Sequence, residues 1–169
     1  MKNLIVVTEG AGFIGSNLIK YLVKKTKIKI IRTDNYSTGT IKNHINHKNV
    51  KYVKCKNINI SKKLNPYKKM IKIIFHFGEF SRVFQSFSKV KTCMNYNIYN
   101  SFEVINFAKD NKIKIIYSAT STNLGNKRKD ENSSPYSWSK SKNIELIKNY
   151  SKWFDLKYEI FNYTNCKNV

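Results

Sequence analysis

Short runs of β-branched and other apolar residues recur along the chain, separated by stretches whose apolar positions fall three and four apart. Residues 3–7 (NLIVV) read as a strand buried on both faces, and 28–31, 50–53, 71–77 (IKIIFHF) and 113–117 (IKIIY) repeat the pattern. Residues 157–161 supply another, which makes about six. Between the strands, 13–25 is amphipathic, and 88–109 carries Val90, Met94, Ile98, Val104, Ile105 and Ala108 at roughly helical spacing. Pro135 ahead of 136–153 opens a further helix, because proline's missing N–H has no partner in a first turn anyway. Strands alternating with helices predict βαβ units, and so a doubly wound parallel α/β sheet formed as one domain over 1–169. The polar loops 34–49 and 119–134 fall where strands end, the side on which such sheets bind ligands.

The first such turn is the segment Thr8-Glu9-Gly10-Ala11-Gly12-Phe13-Ile14-Gly15, between the first strand and the first helix. Gly10, Gly12 and Gly15 satisfy G-x-G-x-x-G in the strand–turn–helix context that gives the pattern meaning. Glycine lets the backbone turn tightly and approach a pyrophosphate, and the helix N-terminus presents N–H groups to its charge. An ordinary tight turn is the plain alternative. Asp34 ends the second strand 19 residues after Gly15, where a carboxylate accepts hydrogen bonds from an adenosine ribose and repels a 2′-phosphate. That favours NAD over NADP, with Arg32 keeping NADP open and a solvated loop aspartate as the plain reading. The fold expected is therefore of the Rossmann type.

Tyr136 and Lys140 stand four apart at the start of the penultimate helix and share one face. An ammonium beside a phenol favours phenolate, which makes Tyr136 a usable acid/base with Lys140 as its electrostatic partner. Tyr-x-x-x-Lys arises easily by chance in a chain rich in both residues. Its placement after the hydroxyl cluster 118–122, at the end of the fifth strand, strengthens the functional reading.

Composition narrows the rest. With 41% apolar and 14% aromatic residues the chain can build a core, and no apolar run approaches the ~20 residues of a membrane span. The opening residues lack a signal-peptide core, so no membrane and a cytoplasmic location are expected. The net charge of +22 invites nucleic acid, but every basic residue except Arg32, Arg82 and Arg128 is lysine, spread over the whole chain. That distribution reads as a tolerant surface and weighs against nucleic acid as the partner. Cys55, Cys93 and Cys166 form no C-x-x-C pair, and His44 with His47 lacks accompanying ligands, so no metal is expected. His76 in its apolar strand reads as a packed core residue, Trp138 and Trp153 as core or interface, and Glu79 either as a site carboxylate or as a loop cap.

VTEGAGFIGSN, TDNYSTG, IFHFGEFSRVFQS, YSATSTNLG and SPYSWSK follow one another in the order and spacing of the NAD-dependent epimerases and dehydratases of sugar nucleotides. The chain resembles that family, its UDP-glucose 4-epimerase branch above all. The resemblance implies that Gly12, Phe13, Ile14 and Gly15 hold the pyrophosphate of NAD, and Asp34 and Asn35 the adenosine ribose. It implies that Phe77 and Gly78 line the cofactor and that Asn97 supports the site. Thr120, five residues before Gly125, matches the family's catalytic Ser or Thr, and Tyr136 and Lys140 its acid/base pair. In such enzymes NAD takes a hydride from a sugar carbon while the tyrosine removes the hydroxyl proton. A nucleotide-sugar substrate follows, touched by Asn165, and a homodimer through the helices at 88–109 and 136–153.

Three departures stand out. Glu9 occupies the family's first glycine, where a carboxylate faces the pyrophosphate and a side chain is awkward if φ is positive. Lys56 lies near a position that is usually aspartate, and 166–169 lose the end of the family's N-x-Y-G-P segment. Family members are also much longer, so the C-terminal substrate lobe is expected to be absent. Two readings follow: a sugar-nucleotide oxidoreductase of the epimerase kind, or a shortened relative that binds NAD without catalysis.

Overall fold

The computed structural model describes residues 3–120 and 132–162. Its strands are β1 (Leu4–Thr8), β2 (Lys29–Asp34), β3 (Val50–Lys54), β4 (Ile71–His76), β5 (Lys114–Ala119) and β6 (Tyr158–Asn162). They form one six-stranded sheet in the order β3-β2-β1-β4-β5-β6, every pairing parallel, as the alternating pattern predicts. The helices are α1 (Phe13–Lys25), α2 (Ile60–Leu64), α3 (Gln85–Ser88), α4 (Val90–Met94), α5 (Ser101–Asp110) and α6 (Pro135–Phe154).

β1 lies at the centre of the sheet with all five residues buried. Its side chains alternate between two cores: Ile5 and Val7 pack with Ile19 and Ile30, while Leu4 and Val6 face a cluster containing Val104, Ile105, Ile115 and Ile147. Burial of both faces explains why its sequence is continuously apolar. β2 runs three residues beyond the expected 28–31, because Arg32, Thr33 and Asp34 pair with Tyr52, Val53 and Lys54 of β3. That extension brings Asp34 level with the glycine turn.

The helical stretch expected at 88–109 is divided. α4 gives way to a π-helical segment, Asn95–Asn100, before α5 begins. Single π turns of this kind concentrate at functional sites. Between β3 and β4, the short turns Asn57–Asn59, α2 and Asn65–Tyr67 occupy a stretch whose sequence is too short in period to announce them. α6 begins where Pro135 predicts, capped by Ser134, whose hydroxyl accepts from the Ser137 N–H at 3.0 Å, and ends at Asp155 with φ of 56°. Among the described residues no helix is long and apolar enough to cross a membrane.

Candidate functional site

The strand order reverses between β1 and β4, and the crevice beyond their carboxyl ends is where such sheets bind ligands. The glycine turn closes its floor. Gly12 N donates to Glu9 O at 3.0 Å, Ser16 N to Gly12 O at 3.0 Å, and Gly10 N to Thr33 O at 3.1 Å. A Cβ on Gly15 would stand 2.4 Å from Glu9 O, so glycine is obligatory there. Gly10 is tight for another reason, since a Cβ would meet Arg32 Cγ at 2.8 Å. Gly12 caps α1 without any side-chain hydrogen bond, which leaves the first-turn amides of Phe13 and Ile14 for a ligand's charge.

The left-handed position of this turn is held by Glu9 (φ 52°) and by none of the glycines. Its carboxylate leans over Gly12 and accepts from the Thr38 hydroxyl at 3.4 Å. Burial, with Asp34 and then Glu79 nearby, pushes the Glu9 carboxyl up to about 7. The charge that would repel a pyrophosphate is therefore largely absent below neutrality.

Asp34 is 5% exposed, accepting the Ala11 N–H on Oδ2 and the Tyr36 N–H on Oδ1, each at 2.7 Å. Asn35 accepts the Ser37 N–H and donates to the Tyr96 hydroxyl at 3.3 Å. Both line a cavity of about 610 Å³ with Glu9, Gly12, Asn57 and Gly78. Arg32 lies behind Asp34, fully buried, its guanidinium 4.7 Å over the Tyr52 ring and donating to Asn43 O at 3.0 Å. It takes no part in lining that cavity. His44, stacked on Tyr52 at 4.1 Å, is paired with the Tyr36 hydroxyl.

A second cavity of about 380 Å³ shares Glu9, Gly12, Phe13 and Glu79 with the first, so the two are ends of one cleft. Ile14, Gly15, Phe77, Thr120, Tyr136 and Lys140 meet there. Thr120 follows directly on β5, whose register delivers it to the crevice. Tyr136 is half-buried in the first turn of α6, and Lys140, one turn on, is 4% exposed. Gly125 and Asn165 lie outside the described residues.

Asn97 is placed differently from a cofactor contact. It is fully buried, accepting the Phe80 N–H at 2.6 Å and donating to the Ser139 hydroxyl at 2.9 Å, so it braces the β4 loop against α6. The π segment turns it inward while Tyr96, its neighbour, reaches Asn35.

The residue that sequence reasoning left undecided is Glu79. It sits at the shared wall of the cleft, its side chain 3% exposed, in a buried ion pair with Lys140. Oε1 accepts from the hydroxyls of Ser101 and Tyr117 and from the Asn143 amide, each at 2.8 Å. Lys140 also donates to the Ser118 carbonyl and lies 4.5 Å over the Tyr117 ring. Burial works against the Glu79 charge, but Lys140 and these donors outweigh it and hold the carboxyl below its ordinary range.

A buried chain of bonds backs this pair. The Thr8 hydroxyl accepts from the N–H groups of Phe77 and Gly78 at 2.9 and 3.0 Å, and so gives its own proton to His76 Nδ1 at 2.9 Å. That leaves the imidazole proton on Nε2, which donates to Ser101 Oγ at 2.9 Å, and Ser101 donates to Glu79. Burial pushes His76 down to about 4, so the ring is neutral.

A glycine turn at the switch point of a parallel sheet, with an acidic residue ending the second strand, defines a dinucleotide-binding fold. The model of the NAD dependent epimerase/dehydratase family matches residues 5–166, and the chain belongs to that family. The structure is similar to UDP-glucose 4-epimerase from Brucella ovis in complex with NAD (20% identity, TM-score 0.85), over 96% of this chain and 52% of that one. It is similar over 96% and 55% to UDP-N-acetylglucosamine 4-epimerase from Methanobrevibacter ruminantium M1 in complex with UDP-N-acetylmuramic acid (28%, TM-score 0.83). UDP-glucose 4-epimerase from Thermotoga maritima, with UDP-glucose, matches at 22% and 0.82 over 95% and 55%. The chain thus spans about half the length of these proteins.

Proposed function

We propose that this chain binds NAD along the cleft and serves a sugar-nucleotide oxidoreduction of the UDP-sugar 4-epimerase kind, with a nucleotide sugar as substrate. The observation that carries this reading is the meeting of Thr120, Tyr136 and Lys140 at one end of a cleft whose other end holds Asp34 and Asn35. The residues fit the cofactor: glycines where a Cβ would clash, uncapped amides at α1, and Asp34 beside the turn. Glu9 fits it when protonated.

When bound, NAD supplies the acceptor for a hydride from a sugar carbinol carbon. Tyr136 takes the hydroxyl proton of that carbinol, and Thr120 donates a hydrogen bond to the same oxygen. Lys140 stands one helical turn behind Tyr136; two of its three N–H groups are held by Glu79 and Ser118, which leaves at most one for a ribose hydroxyl. Asn165 is assigned to the substrate by family resemblance alone.

Calorimetry with NAD tests the binding half of this proposal. The chemical half is tested by supplying NAD and UDP-sugars and following product. Tyr136→Phe is expected to lower turnover at least a hundredfold while leaving NAD affinity within a few-fold. Turnover unchanged by Tyr136→Phe would discard the assignment. A second reading, NAD binding without turnover, is favoured by the strained Glu9 in the phosphate turn; it predicts calorimetric heat with NAD and no product from any UDP-sugar.

A further inference from the structure

Glu79 is not needed to cap its loop. Its own N–H donates to Phe77 O at 2.8 Å, and its side chain turns away into the protein to collect four donors from β5, α5 and α6. A carboxylate is an expensive choice for a buried loop position unless its charge is required. Among the described residues the one full charge in contact with it is the Lys140 ammonium; the Glu9 carboxyl nearby is pushed up to about 7 by burial, Tyr117 stays a phenol, its ionisation pushed well up by burial and then by Glu79, and His76 is neutral.

We infer that Glu79 is a positioning residue which fixes the Lys140 ammonium behind Tyr136 and cancels its charge, so that this end of the cleft admits a cationic nicotinamide ring as readily as a neutral one. The inference rests on the reading that the cleft takes NAD with its nicotinamide end at Tyr136. The physical argument is electrostatic. Oxidised NAD carries a positive ring and reduced NAD a neutral one, and an uncompensated ammonium beside the ring discriminates against the first. A cofactor that must be held through both states is served by a wall of zero net charge. Glu79 and Lys140 supply that wall, and Tyr117, Ser101 and Asn143 hold the carboxylate in register with it.

The test is a binding measurement and needs no turnover. The dissociation constants of NAD+ and NADH are measured at pH 6.5 for the wild type, Glu79→Gln and Glu79→Asp. Glu79→Gln is expected to raise the ratio Kd(NAD+)/Kd(NADH) roughly tenfold. Glu79→Asp, which keeps the charge, is expected to hold the ratio within about twofold of the wild type. A merely structural role would weaken both forms alike, and parallel changes in Glu79→Gln overturn the inference while leaving the proposed function standing. If Glu79→Gln does not fold, Glu79→Ser, which also removes the charge, replaces it: the same rise in the ratio is expected, and an unmoved ratio overturns the inference. A wild type that binds neither form overturns the proposed function and this inference together.

Discussion

At the scale of single residues, Glu9 sets the conditions under which the cleft works. A side chain at φ 52° costs roughly 1 kcal/mol over glycine, and its carboxyl is displaced upward from 4.5 to about 7. The folded state therefore binds more protons at Glu9 than the unfolded chain between those values. The stabilisation that comes with the neutral form is complete below about pH 4.5 and is lost as pH rises to about 7. Glu9→Gln keeps the shape and removes the titration, so its melting temperature is expected to gain on the wild type by several degrees between pH 4.5 and 7.5. Parallel melting curves for the two proteins would show that Glu9 does not titrate in this range. The strained glutamate was legible in the sequence, because the glycine pattern names its position. Glu79 was only half legible: its place after the fourth strand marks it for the cleft, but nothing in a one-dimensional pattern says that a loop side chain turns inward to a lysine 61 residues away.

At the scale of elements, the strands were the easiest to read, because a parallel sheet buried on both faces writes continuous β-branched runs. The ends moved where pairing decided them, as at β2. The π segment could not be read, since Val90, Met94 and Ile98 keep helical spacing while one turn widens beneath them. Yet that turn places Asn97 under the β4 loop. Thr8 likewise looks like the last residue of a strand, and in the fold it ties β1 to the loop leaving β4 by accepting two N–H groups. Thr8→Val leaves both without an acceptor and breaks the bond to His76; it is expected to cost about 3 kcal/mol, or roughly 10 °C in melting temperature. A loss below about 1 °C in a calorimetric scan would mean that Thr8 carries none of this load.

At the scale of the molecule, the charge of +22 stands beside a cleft that, among the described residues, is lined by the carboxylates of Glu9, Asp34 and Glu79. Among the described residues, the only lysines that line the cleft are Lys140 and Lys89. Phe102 on α5 and Trp138, Trp153 and Phe154 on α6 are exposed, with Trp153 at 63%. We propose that these two helices pair with their counterparts in a second copy, as the resemblance implies. Sedimentation velocity is then expected to report a dimer, and Phe102→Glu with Trp153→Glu a monomer; a wild type that sediments as a monomer removes the proposal.

The double role proposed for Asp34 has a kinetic consequence. Its two oxygens already hold the turn and the following loop through Ala11 and Tyr36, yet a carboxylate has about four lone-pair sites, so a ribose diol can be accepted without releasing either amide. If the cleft takes NAD as proposed, its adenosine end needs no rearrangement at Asp34 to receive the ligand. Association is then expected to need no opening step, with an observed rate in stopped-flow binding that rises in simple proportion to ligand concentration; a rate that levels off would show that an opening step exists.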